Sequence, residues 1–324
     1  MGILEVRGVT KSFGGIVANS DITLDVGEWE IVGLIGPNGA GKTTLFNCIT
    51  GVYGIDSGSI RFRDADVTGM KTHERAALGI GRSFQNLGLV RGQTVLENLV
   101  TAQHMTAGYG VLEGIAGSPA SFSVERELIR RADRILDFTN LMEHRDEVID
   151  DLPYGVLKNI ELGAVLATDP QLLLLDEPSS GLSPTESDEL GEILLRLREE
   201  IGVTILMIEH HVPLVVRVTD YVYVLNFGTL LTEGKPRDVQ KHPEVIAAYL
   251  GGEVDLNGAA EDSAVEEPGV EPGDESGYSS PAGLSQYVPL PREARPRAEL
   301  RTGTASKSKS KRSRKSSKSK SGKR

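Results

Sequence analysis

The sequence predicts an α/β fold: a largely parallel sheet, interrupted by a helical insertion and followed by a disordered extension. Three observations predict it. Strand-like and helix-like stretches alternate with short turns over residues 1–251, as strand–helix–strand units require. The stretches 172–175 and Thr204–Ile208 are apolar without alternation, which buries both faces of a strand. A glycine-rich turn joins the apolar stretch 30–35 to the helix-like stretch 45–50.

Taken in order, residues 3–9 and 22–26 read as strands, and 30–35 as a buried strand running into the turn. Between about 95 and 166 the pattern becomes mostly helical, with Leu128, Ile135 and Phe138 on one face of a helix over 125–141. The apolar strands at 172–175 and 204–208 return the chain to its α/β core. After Leu250 periodicity stops. Residues 252–290 are rich in Glu, Asp, Pro, Gly and Ser, and 301–324 form a Lys/Arg/Ser run. Neither stretch buries enough apolar surface to offset its ordering entropy. The chain therefore divides into a folded domain, 1–251, and a disordered tail, 252–324, acidic and then basic.

The 324 residues, 39% hydrophobic and 25% charged, suit one large or two small globular domains. Cys48 is the single cysteine, which excludes an internal disulfide and fits a reducing compartment. The first residues carry Glu5 and Arg7 and no apolar core of a signal peptide. Val6 stands where myristoylation expects Ser or Thr. No run approaches the about 18 apolar residues of a membrane span, so any membrane role comes through partners. From Gly252 onward stand 14 Lys and Arg against 11 Asp and Glu, a net of +3, leaving −14 on residues 1–251 out of −11 overall. So acidic a body argues against a general nucleic-acid surface, and no specific nucleic acid is expected as a partner.

The chemistry starts at Gly36-Pro37-Asn38-Gly39-Ala40-Gly41-Lys42-Thr43-Thr44, which has the G-x-x-x-x-G-K-T spacing of a phosphate-binding P-loop, or Walker A motif. Its glycines let the backbone curl so that successive N–H groups face phosphate oxygens, and the following helix adds its positive end. Lys42 is expected on the β- and γ-phosphates, and the Thr43 hydroxyl on Mg2+. Far downstream, the leucine run 172–175 ends in Asp176 and Glu177. Asp176 is expected in the Mg2+ shell as a Walker B aspartate, and Glu177 as the general base polarising the attacking water.

With four further stretches, residues 1–251 resemble the ABC ATPase family. Asp151-Leu152-Pro153-Tyr154-Gly155-Val156 precedes a helix-like stretch, 158–167, and lies shortly before Walker B. There the family carries its signature, usually LSGGQ, of which Leu152 and Gly155 are kept. The family's serine donates to the γ-phosphate held by the opposite subunit, but Pro153 has neither hydroxyl nor N–H. The resemblance therefore implies that backbone N–H groups near Gly155 and the helix dipole make that contact. Gln85, in Arg82-Ser83-Phe84-Gln85-Asn86, matches the Q-loop glutamine that contacts Mg2+ and the attacking water. His210, in Ile208-Glu209-His210-His211, matches the switch histidine on the γ-phosphate. Ser183 closes a D-loop-like stretch, and Phe13 matches the aromatic that stacks on adenine. The implied fold is the ABC core with an antiparallel β subdomain and an inserted helical subdomain. The implied cofactors are ATP and Mg2+.

Within the family, Lys11-Ser12-Phe13-Gly14-Gly15-Ile16, Thr94-Val95-Leu96-Glu97-Asn98-Leu99, residues 109–118 and Val245-Ile246-Ala247-Ala248-Tyr249-Leu250-Gly251 look like the branched-chain amino-acid importer type. That type implies a peripheral ATPase on the cytoplasmic face of the membrane, serving two transmembrane permeases. It pairs head to tail with a second ATPase, LivF-like or a second copy, and depends indirectly on an extracytoplasmic substrate-binding protein. Urea or short amides stay open as cargo. An ABC ATPase acting on nucleic acid or ribosomes is the alternative from another class; a single P-loop and the lack of sustained heptads speak against it. The basic run 307–324 is placed against anionic lipid, with the acidic stretch 253–275 as a rival partner and simple solvation as the plainer expectation.

Overall fold

The computed structural model describes residues 2–83, 88–104 and 119–250. Gln85, residues 109–118 and the tail 252–324 lie outside the described residues. Everything below belongs to the unit Met1–Pro281.

β1 (Leu4–Phe13) and β2 (Ile16–Val26) form an antiparallel hairpin turned at Gly14 and Gly15. With β4 (Ser57–Phe62) and β5 (Ala65–Asp66) they make a four-stranded antiparallel sheet, order β2-β1-β4-β5. Both hairpin strands run longer than the stretches 3–9 and 22–26 expected from apolar pattern. At the tip, exposed Ile16 and Val17 are held by the cross-strand ladder and not by burial.

A second sheet joins β3 (Ile31–Ile35), β6 (Ile80–Arg82), β7 (Leu172–Asp176), β8 (Thr204–Ile208), β9 (Tyr221–Asn226) and β10 (Thr229–Gly234), in the order β10-β9-β3-β8-β7-β6. Its neighbours pair parallel except β10, which pairs antiparallel with β9 at the edge. Every residue of β3, β7 and β8 is buried, as their largely apolar sequences require.

Among the described residues the α-helices are α1 (Lys42–Thr50), α2 (Thr72–Ala77), α3 (Val95–His104), α4 (Pro119–Phe138), α5 (Tyr154–Ala167), α6 (Pro184–Arg196), α7 (Val212–Val218), α8 (Pro236–Val239) and α9 (Pro243–Leu250). Because successive strand side chains point to opposite faces, β7 feeds two cores. Leu172 and Leu174 join Phe46 and Ile49 of α1 and Leu4 and Ile60 of the antiparallel sheet. Leu173 and Leu175 join Leu99, Leu136 and Ile160 of α3, α4 and α5. A third cluster seats Val245 and Tyr249 of α9 on Val222 and Val224 of β9.

Two helix bounds differ from the sequence pattern. The stretch 125–141 ends as a helix at Phe138, because Asn140 turns left-handed at φ 57°. α5 starts at Tyr154 and not near 158, with extended Pro153 as its N-cap. A proline there loses nothing, since the N-cap N–H makes no intrahelical bond.

At the far end of α1, Arg75 is 2% exposed. It donates to the carbonyls of Cys48 and Ile49 at 2.7 Å each and to those of Met70 and Thr68 at 3.0 Å each. A cation on the terminal carbonyls suits the helix dipole and fixes α1 beneath the loop it follows.

Candidate nucleotide site

β3, β8 and β7 are adjacent and parallel, and one row of their ladder reads Leu34, Ile208, Asp176. The three loops that follow these strands therefore leave the sheet at one level, on its carboxyl edge. In open α/β sheets that edge is where ligands bind.

The loop after β3 curls as its glycines allow. Gly36, Gly39 and Gly41 have φ of 148°, 81° and 96°. A Cβ on Gly36 would overlap the Leu225 carbonyl oxygen, and one on Gly41 would come within 2.5 Å of Asn19 Nδ2. Outside bonds hold the curl: Gly228 N–H donates to Ala40 O at 3.1 Å, and Asn19 Nδ2 to Gly41 O at 3.1 Å. α1 carries no acidic residue in its first turn, so its free N–H groups and positive end remain for an anion. Lys42 folds back over the loop and donates to Gly36 O at 2.6 Å and Pro37 O at 3.0 Å. Burial pushes its ammonium below the usual lysine range, while Glu177 and then Asp176 pull it upward. The lysine thus already senses both carboxylates. Thr43 is exposed and Thr44 half-buried in the same turn.

Asp176 is 2% exposed. Its Oδ2 accepts from Arg82 Nη2 at 3.0 Å, and Arg82 also donates to Asn47 Oδ1 at 2.6 Å. The other oxygen, Oδ1, is buried without a hydrogen-bond partner among the described residues. A buried carboxylate oxygen left unpaired is costly, and a hard divalent cation is the ligand that suits it. Glu177 takes a left-handed backbone, φ 51°, a conformation worth about 1–3 kcal/mol of strain in a non-glycine residue. Its N–H donates to Ile208 O at 2.9 Å, and its carboxylate stands 4.0 Å from His210 Nδ1.

Phe13 and Gly155 have separate surroundings. Phe13 is 42% exposed at the hairpin tip, edge-on to Tyr53 at 5.1 Å with Lys11 Nζ 5.2 Å from its ring. Gly155 is buried in the first turn of α5, and a Cβ there would overlap Glu186 Oε1. Tyr154 covers Gly181, whose added Cβ would lie 2.8 Å from the ring. Ser183 caps α6, accepting from Glu186 N–H at 3.3 Å while Glu186 Oε2 accepts from Ser183 N–H at 2.7 Å.

Sequence reasoning singled out neither Arg82, Asn19 nor Glu209 as site residues. Glu209 is fully buried and accepts three backbone N–H bonds, from Ser179, His210 and His211. No local pattern marks any of the three. The capping box at Ser183 and Glu186 does have one, S-x-x-E.

The chain is similar to known proteins. The ABC transporter family matches residues 19–180, and the branched-chain amino acid ATP-binding cassette transporter family matches residues 229–255. The chain is 41% identical over 249 residues to the high-affinity branched-chain amino acid transport ATP-binding proteins LivG of Salmonella typhimurium and Escherichia coli K12, covering 77% of this chain and 98% of each relative. BraF of Pseudomonas aeruginosa is similar to the same extent, 41% over 249 residues. The crystal structure of the ADP conformation of an ATP-binding cassette of an ABC transporter is similar with a TM-score of 0.68 at 31% identity, over 78% of this chain and 99% of that one. Among the described residues no helix is long and apolar enough to cross a membrane. Likeness of this extent settles the family: the chain belongs to the ABC transporters, as an ATP-binding and ATP-hydrolysing subunit of the branched-chain amino-acid type.

Proposed function

We propose that this chain powers the import of branched-chain amino acids from the cytoplasmic face of the membrane, for partners that carry the cargo. The cargo reading is supported by the likeness to LivG and BraF, which spans 98% of their length. The observation that supports the chemistry is the row Leu34, Ile208, Asp176, from which the loop 36–44, Glu177 and His210 follow at one edge of the sheet.

In this reading the triphosphate lies along residues 36–44, and Lys42 turns from the carbonyls of Gly36 and Pro37 to the β- and γ-phosphates. Asp176 Oδ1 and the Thr43 hydroxyl would hold Mg2+, with Gln85 as a further ligand. Held there, the ion would supply charge neutralisation to the phosphates. Phe13 stacks on adenine. Glu177 accepts a proton from water as the water oxygen bonds to the γ-phosphorus. The bond from that phosphorus to the bridging oxygen breaks, and ADP and phosphate leave. His210 supports the γ-phosphate from the neighbouring loop. Gly155 of a second ATPase, LivF-like or another copy, closes the site from the opposite side. Two permeases and a substrate-binding protein outside the membrane complete the assembly, and the basic tail lies on anionic lipid.

The test compares labelled leucine, isoleucine and valine uptake in cells carrying the parent chain or Glu177→Gln. Expected is loss of uptake, with ATP still bound and the ATPase pair trapped closed. Unchanged uptake of all three, beside impaired uptake of urea or a short amide, would overturn the cargo.

A further inference from the structure

Glu209 is 0% exposed and stands between β8 and His210. Its Oε1 accepts the Ser179 N–H at 2.9 Å, and its Oε2 accepts the N–H groups of His210 at 2.9 Å and His211 at 3.0 Å. Ionised acceptors make the stronger hydrogen bonds, and a carboxylate this deep is retained only where such donors satisfy it. These donors come from two loops. Ser179 lies two residues beyond Glu177, in a turn closed by Ser180 N–H on Glu177 O at 3.1 Å. His210 and His211 begin the loop after β8, where His211 Nδ1 meets Ser187 Oγ at 3.3 Å. The carboxylate therefore fastens the loop that carries the base to the loop that carries the histidine, and across this fastening Glu177 and His210 stand 4.0 Å apart.

We propose that Glu209 is a positioning residue for ATP hydrolysis: its two oxygens hold the Ser179 and His210–His211 amides, and so set Glu177 and His210 in register on one γ-phosphate. The inference rests on the roles given above to Glu177 and His210. Glu209→Gln keeps one acceptor oxygen and turns an NH2 group toward the other amides, so one loop is released. Glu209→Asp keeps both oxygens and the charge, one methylene short.

The experiment measures steady-state Mg2+-dependent ATPase, ATP affinity and melting temperature of the full-length chain and both variants. A misplacement of about 1 Å at reacting groups costs on the order of a hundred-fold in rate. Glu209→Gln is expected to lower kcat about ten- to hundred-fold with ATP affinity within about two-fold of the parent, and to lower melting, since buried N–H groups then face an NH2 group. Glu209→Asp is expected to recover part of the rate. Either kcat within about two-fold of the parent in both variants, or rate, affinity and melting falling together in both, overturns the assignment. Should Glu209→Gln fail to fold, Glu209→Asp decides by the same criteria. A parent without Mg2+-dependent ATPase overturns the roles of Glu177 and His210 first; an active parent with indifferent variants overturns that of Glu209 alone.

Discussion

Arg82 and Asp176 form an ion pair of 3.0 Å inside the site, their side chains 11% and 1% exposed. The guanidinium occupies Oδ2 and leaves Oδ1 buried without a partner among the described residues. The last residue of β6 thereby fixes which oxygen Asp176 has to offer. Since Arg82 also reaches Asn47 and Thr50, one cation joins β6, β7 and α1.

Arg82→Met follows from this. Removing one partner of a buried pair costs about 3–5 kcal/mol because the other charge is left uncompensated. Bound Mg2+ would restore a positive charge beside Asp176. The loss in urea unfolding is therefore expected to shrink when Mg2+ and ATP are present. An equal loss with and without them would contradict the arrangement.

Lys42 gives a pH dependence. Its ammonium is depressed by burial below the ordinary 10.5, so the folded chain releases that proton before the unfolded chain does. Below the folded value both states are protonated and the penalty is complete. Between it and 10.5 the unfolded state binds more protons, so the nucleotide-free chain gains stability as pH rises. A triphosphate favours the charged lysine, so ATP binding in that window takes up a proton. Calorimetry in buffers of differing ionisation enthalpy is expected to show the uptake in the parent chain and not in Lys42→Met. A parent that binds ATP without uptake would contradict it.

Gly36 and Gly39 separate two effects of the loop. Both have positive φ, 148° and 81°, but a Cβ on Gly36 meets the Leu225 carbonyl while one on Gly39 meets nothing within 4 Å. Gly39→Ala is expected to cost about 1 kcal/mol of backbone strain, and Gly36→Ala clearly more, with loss of ATP binding. Equal unfolding midpoints would contradict the difference.

Phe13→Ala is expected to weaken ATP and GTP alike by about 1–3 kcal/mol, the worth of one base–aromatic stack. Melting should hold, because the side chain is 42% exposed and lies at the hairpin tip. A change in ATP affinity below about two-fold would remove Phe13 from the site.

Legibility followed distance along the chain. The curl of residues 36–44 is legible locally, since glycine spacing and a following helix start suffice to bend the backbone. The leucines of 172–175 announce a strand buried on two faces, and the structure divides them between two cores. The start of α5 was hidden because exposed Tyr154 and buried Gly155 add no apolar period. Arg82, Asn19 and Glu209 were hidden for another reason. Their partners lie 94, 22 and 30 residues away, at Asp176, Gly41 and Ser179.

The order of residues determined a glycine-rich curl before a helix, a lysine at its end, and two acids at the end of a buried strand. Short-range spacing dictates such things because it governs backbone curl and side-chain type within a few bonds. Only folding decided that Asp176 offers Oδ1, that Glu177 faces His210, and that Glu209 ties their loops together. Those choices depend on strand register across the sheet, which joins segments far apart in the chain and which no local pattern encodes.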